Sequence, residues 1–155
     1  MAEKQEERLE EHMFCAIKAC SKVETWLLDS GCTHHMTADS SIFVELNKAY
    51  RSRVKVGNGD FVEVKGSGVI AVQTSTGIKH IPDVLYVPEI DQNLISVGQL
   101  LEKKHSLMFK ENACTILDEN VKELMTVQMK DRSFPINWKN VTTQACLVEE
   151  SETTL

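Results

Sequence analysis

Residues 52–73 read Ser-Arg-Val-Lys-Val-Gly-Asn-Gly-Asp-Phe-Val-Glu-Val-Lys-Gly-Ser-Gly-Val-Ile-Ala-Val-Gln, and this stretch decides the fold. Val54 and Val56 alternate with Arg53 and Lys55, the period of a half-buried strand. Gly57-Asn58-Gly59-Asp60 follows, and its glycines and asparagine accept positive φ. The pattern therefore predicts a β-hairpin that resumes at Phe61, Val62 and Val64. Gly66-Ser67-Gly68 breaks the run before Val69-Ile70-Ala71-Val72, and a second turn, Thr74-Ser75-Thr76-Gly77, leads to Ile78 and Ile81.

Toward the C-terminus the same rhythm continues. Asp83-Val84-Leu85-Tyr86-Val87-Pro88 reads as a strand stopped by its proline. Asp91-Gln92-Asn93 is expected to cap a helix with Leu94, Val97, Leu100 and Leu101 on its apolar face, and Gly98 allows close packing there. Further strands are expected at 106–110, 114–117 and 123–129, with a closing strand over 134–138. Toward the N-terminus, Trp26-Leu27-Leu28 is an apolar run that ends in the turn signal Asp29-Ser30-Gly31. Thr37 to Ser41 offers cap chemistry for one helical turn carrying Ile42, Phe43 and Leu46. About eight short strands with one helix predict a mainly β fold, a closed or nearly closed barrel.

The chain has 155 residues, enough for one domain with a core of its own. We expect a charged leader over 1–22, in which Leu9, Met13 and Ile17 recur at helical spacing, a folded domain over 23–139 and a loose polar tail over 140–155. The leader reads as a mobile helix or linker rather than a binding element. Net charge is −6, which argues against direct nucleic-acid binding. Arg51, Arg53 and Lys55 read as one solvated face. Five cysteines at irregular spacings, behind a charged N-terminus, suggest free thiols in a reducing, cytoplasmic setting. No apolar run reaches membrane-spanning length, so no membrane partner is expected.

Asp29-Ser30-Gly31 is the candidate catalytic loop. An aspartate at a strand end beneath an apolar shelf is partly desolvated. The Ser30 hydroxyl can hydrogen-bond within the loop and hold the carboxylate in plane. Gly31 lacks a side chain, so its N–H can approach the carboxylate closely. The tripeptide alone is weak, because Asp-Ser-Gly is common in turns. It occurs once, and two carboxylates sharing a proton are needed for aspartic-peptidase chemistry, so a symmetric homodimer follows. Cys32, His34 and His35 invite a metal reading, with His12, Cys15 or Cys20 as further ligands, but the spacing matches no standard zinc site. We expect no cofactor and no metal, with the histidines supporting the loop after Asp29. A serine-hydrolase role for Ser30 lacks the Gly-x-Ser-x-Gly elbow. Gly57-Asn58-Gly59 and Gly66-Ser67-Gly68 lack the ending of a phosphate loop.

Trp26 to Thr37, WLLDSGCTHHMT, resembles the protease start of copia-type LTR retrotransposon polyproteins. VGNGDFVEVKGSG and IPDVLYVPEIDQNLISVGQL resemble later parts of the same domain, in the same order. The resemblance spans Trp26 to near Trp138. It implies a retropepsin-like barrel, an aspartic endopeptidase that cleaves a Gag–Pol polyprotein as a homodimer, and Asp29, Ser30 and Gly31 as its catalytic loop. The family's hydrophobic-hydrophobic-Gly before a helix falls at Leu94-Ile95-Ser96, with serine in place of glycine, and the hairpin from Val56 to Val64 is a flap candidate by analogy. No nucleic-acid knuckle precedes these segments and no integrase or polymerase sequence follows, as expected of a truncated element, a processed product or a host gene derived from one. The rival expectation is a catalytically silent barrel that binds a partner or persists as a remnant.

Overall fold

The structure is a computed structural model and describes residues 21–142. Its elements in chain order are β1 (Ser21–Asp29), β2 (His35–Thr37), a 3₁₀ turn (Ser40–Ile42), β3 (Phe43–Asn47), β4 (Ser52–Lys55), β5 (Phe61–Val64), β6 (Ser67–Thr74), β7 (Gly77–Tyr86), β8 (Asn93–Ser96), α1 (Val97–Glu102), β9 (Ser106–Lys110), β10 (Ala113–Leu117), β11 (Glu123–Gln128) and β12 (Pro135–Val141). Most of the leader and most of the tail lie outside the described residues. β1 begins two residues before position 23, and β12 runs two residues past 139.

Six strands close into a barrel in the order β12-β1-β8-β2-β7-β6. Closure comes from Lys139↔Gln73 and Asn140↔Val72, so the expected mainly β barrel with one short helix is the observed fold. Closing the sheet removes its open edges. β3 pairs outside β6, β4 and β5 form the anticipated hairpin, and β9, β10 and β11 make a separate three-stranded sheet. Alternation dictates the inward faces: Ile136, Trp138 and Asn140 of β12 are buried, whereas Asn137 and Lys139 are exposed. Trp26 packs edge-on against Trp138 at 6.0 Å in a core shared with Phe43, Ile70, Val84 and Ile95. A second cluster, Met36, Val54, Val64, Leu85 and Val87, anchors the base of the β4–β5 hairpin.

Three expectations need correction. Leu94 does not begin a helix: Asn93–Ser96 is a strand, and the helix starts at Val97 with Ser96 as its cap. The apolar pair Leu94-Ile95 gains more by inserting between β1 and β2, where backbone partners exist on both sides, than by forming one more helical turn. Phe43 and Leu46 likewise lie in β3; only Ser40–Ile42 turns, capped by Asp39 Oδ1 accepting from the Ser41 N–H at 3.0 Å. The described residues also hold twelve strands rather than about eight, because β2, β3 and β8 are set by pairing with strands distant in sequence.

β7 passes through Pro82 by means of a bulge. Ile70 faces Ile81 and Gly68 faces Val84, which leaves Pro82 and Asp83 opposite Val69 alone. Asp83 there adopts φ 59°. Gly68 is required by contact rather than by turn geometry, since a Cβ would stand 2.0 Å from the Glu45 carbonyl oxygen of β3.

Candidate active site

Asp29 is the last residue of β1 and half-buried, as the apolar run before it predicts. β8 runs parallel beside it, with Leu28 facing Ile95 and Asp29 facing Ser96, and leads directly into α1. Leu94-Ile95-Ser96 therefore stands next to the Asp29 loop, far away in sequence and adjacent in space. On the other side, the Leu28 N–H donates to the Phe134 carbonyl at 3.1 Å.

The Gly31 N–H donates to Asp29 Oδ1 at 2.7 Å. A Cβ at Gly31 would approach the same oxygen to 3.3 Å, so glycine keeps the carboxylate in place without crowding it. Ser30 is exposed, and the bond that holds the carboxylate comes from Gly31 rather than from the Ser30 hydroxyl. Cys32 is half-buried; burial, then the nearby Asp29 charge, push its thiol up to about 11, which keeps it protonated and unreactive at neutral pH.

The three metal candidates are not brought together. His34 is exposed, with Nδ1 2.9 Å from Thr33 Oγ1. His35 points into the interior, and its Nδ1 accepts from the Ser96 N–H at 2.9 Å. Among the described residues no group of three or more His, Cys, Asp or Glu is placed to hold a metal. His12, Cys15 and Cys20 lie outside those residues.

His35 belongs instead to a buried polar clamp, so the expected support of the loop comes from His35, while exposed His34 lies outside the clamp. Its backbone N–H donates to Gln99 Oε1 at 2.8 Å. Ser96 Oγ donates to the Cys32 carbonyl at 2.9 Å and accepts from the Gln99 N–H at 3.1 Å. Gln99 Nε2 then donates to the Asp83 carbonyl at 2.9 Å, a group left free by the β7 bulge. The loop after Asp29, the start of α1 and the bulge are thus one hydrogen-bonded unit. Burial, reinforced by His34, lowers the His35 pKa to about 4, so the ring is neutral and free to accept. Sequence reading missed Gln99 altogether, because a polar side chain on a short helix carries no sign of burial.

A cleft beside Asp29 is lined by Leu28, Leu94, Val97, Phe109, Arg132 and Phe134. At the flap candidate, Arg53 and Lys55 lie over the exposed Phe61 ring at 5.2 and 5.6 Å from its centroid. No helix among the described residues is long and apolar enough to cross a membrane.

A small closed barrel with an Asp-Ser-Gly loop at a strand end is the class of protein these features define. The chain matches the family described as Pol polyprotein, beta-barrel domain over residues 26–105, just over half its length, and it belongs to that family. That description names a barrel and no peptidase. The chain is 35% identical over 85 residues to the putative transposon Ty5-1 protein of Saccharomyces cerevisiae, covering 55% of this chain and 56% of that protein. It is 38% identical over 77 residues to the retrovirus-related Pol polyprotein from transposon RE1 of Arabidopsis thaliana, covering 48% of this chain and 5% of that one. It is 32% identical over 72 residues to the corresponding polyprotein from transposon TNT 1-94 of Nicotiana tabacum, covering 46% and 5%. The chain thus spans about half of the yeast relative and a small part of each plant polyprotein. It is a retrotransposon Pol-derived β-barrel.

Proposed function

We propose that this barrel is an aspartic endopeptidase acting on a retrotransposon polyprotein, with one Asp29 from each chain of a homodimer. The observation that carries the reading is the Asp29 carboxylate, fixed at the end of β1 by the Gly31 N–H while parallel β8 runs beside it into α1. Two such carboxylates facing each other cannot both ionise, so they share a proton. The ionised one takes a proton from water, and the protonated one donates to the substrate carbonyl as the tetrahedral intermediate forms. The resemblance of Trp26 to Thr37 to copia-type proteases supports the same assignment. Cleavage of a peptide library at mildly acidic pH tests it. Activity lost in Asp29→Asn supports the reading, and activity that survives this substitution refutes it.

A second reading, a silent barrel that binds a partner, is favoured by the exposed Ser30 side chain, which does not brace the carboxylate. Sedimentation at micromolar concentration separates the two. A strict monomer supports the silent barrel, since one aspartate cannot perform the work of two.

A further inference from the structure

Phe109 of β9 and the β11–β12 turn residues Arg132 and Phe134 come from beyond the family-matched segment, yet all three line the cleft next to Asp29. We propose, resting on the peptidase reading, that Phe109, Phe134 and Arg132 form a substrate subsite for a large apolar side chain adjacent to an acidic one in an extended peptide.

Phe109 and Phe134 meet edge-on at 5.2 Å and 67°, and Phe109 nevertheless keeps 56% of its surface exposed. An aromatic held by a neighbour and left this open presents a rigid apolar surface at little further entropic cost on binding. Leu28, Leu94 and Val97 extend that wall toward Asp29. β9 is also the outer strand of its sheet, pairing with β10 alone among the described residues. Its free edge offers backbone groups to an extended peptide, while the adjoining apolar wall selects the side chain.

Arg132 supplies the charge preference. The Lys130 and Ser133 backbones exchange hydrogen bonds of 2.8 and 2.9 Å around the two-residue turn Asp131-Arg132. Both turn residues have positive φ, 53° and 66°, at positions where asparagine and glycine are favoured. An arginine tolerated there is held at the cleft by a rigid two-residue turn. Its guanidinium has neither an ion pair nor a hydrogen bond among the described residues. In a chain of net charge −6, an unpaired guanidinium at the cleft discriminates in favour of an acidic neighbour and against a basic one.

The test uses the full chain, two peptides that differ only in Glu or Lys next to a central Phe, and a third with Ala in place of that Phe. Cleavage is measured with the wild type, and binding by fluorescence anisotropy with Asp29→Asn. We expect a preference for the Glu peptide of about tenfold, reversed in Arg132→Glu. Phe109→Ala should erase the advantage of Phe over Ala at the central position, while the chain still melts in one cooperative transition. An unaltered Glu-over-Lys preference in Arg132→Glu overturns the proposal, as does failure of Asp29→Asn to bind either peptide. A change in Arg132→Glu confined to sedimentation also overturns it and assigns Arg132 to a contact between copies. If nothing is cleaved but Asp29→Asn binds with the same reversible preference, the subsite stands and the peptidase reading falls.

Discussion

Ser96 donates a 2.9 Å hydrogen bond to the carbonyl of Cys32, joining the cap of α1 to the loop that follows Asp29. The same hydroxyl accepts from the Gln99 N–H, so a single oxygen caps the start of the helix and restrains the loop. Ser96→Ala should cost about 2–3 kcal/mol, the sum of a lost cap and a part-buried carbonyl left unpaired. Urea denaturation monitored by tryptophan fluorescence would measure it, and a cost near zero would show that the clamp is incidental.

His35 predicts a pH dependence of stability. Its Nδ1 can accept from the Ser96 N–H only when deprotonated, and its folded pKa near 4 lies below the ordinary 6.5. The unfolded chain therefore holds this proton more tightly than the folded one. The contribution is fully present above pH 6.5, declines as pH falls, and is lost on passing through about 4. Its size is on the order of 3 kcal/mol. Burial and the neighbouring His34 and His105 oppose protonation, and Asp83 alone favours it. Melting temperatures between pH 7 and pH 4, compared with those of His35→Asn, isolate this part of the slope; parallel curves would contradict it.

Gly68 should tolerate no side chain. A Cβ there meets the Glu45 carbonyl, a backbone atom that cannot move without displacing β3 from β6. Gly68→Ala is expected to destabilise by about 2–3 kcal/mol, read as a drop in thermal midpoint. Gly77→Ala, where nothing lies within 4 Å but φ is +113°, serves as a comparison that isolates backbone strain.

Gly31→Ala separates loop geometry from folding. The new methyl would approach Asp29 Oδ1 at 3.3 Å, a contact that a small shift of the carboxylate relieves. Stability should fall by less than about 1 kcal/mol. Peptidase activity should fall at least tenfold, because misplacement of a reacting group is costly. Equal losses in both would place Gly31 in the fold rather than the chemistry.

Peptidase activity should also depend on concentration. If each active unit needs two copies of Asp29, specific activity falls on dilution as the dimer dissociates. A specific activity constant across the range where sedimentation shows dissociation would exclude a shared site.

Local pattern was enough to reveal much of this architecture. The hairpin around Gly57-Asn58-Gly59, the strands of the C-terminal sheet and the closing strand near Trp138 each follow from alternation and turn chemistry that act within a few residues. The strand end and turn at Asp29-Ser30-Gly31 were legible for the same reason. Leu94-Ile95 was misread as helical because its conformation is settled by β1 and β2, which offer backbone partners that no local window contains.

What the sequence by itself determined was a β-rich barrel with a half-buried aspartate at a strand end, since periodicity and glycine placement are properties of neighbouring residues. Only the tertiary structure decided what surrounds that aspartate. Ser96 and Gln99 bond to His35 across more than sixty positions of chain, and Phe109, Arg132 and Phe134 reach the cleft from the C-terminal part of the chain. Hydrogen bonds and apolar contacts depend on distance in space, and chain closure alone brings such remote residues within reach.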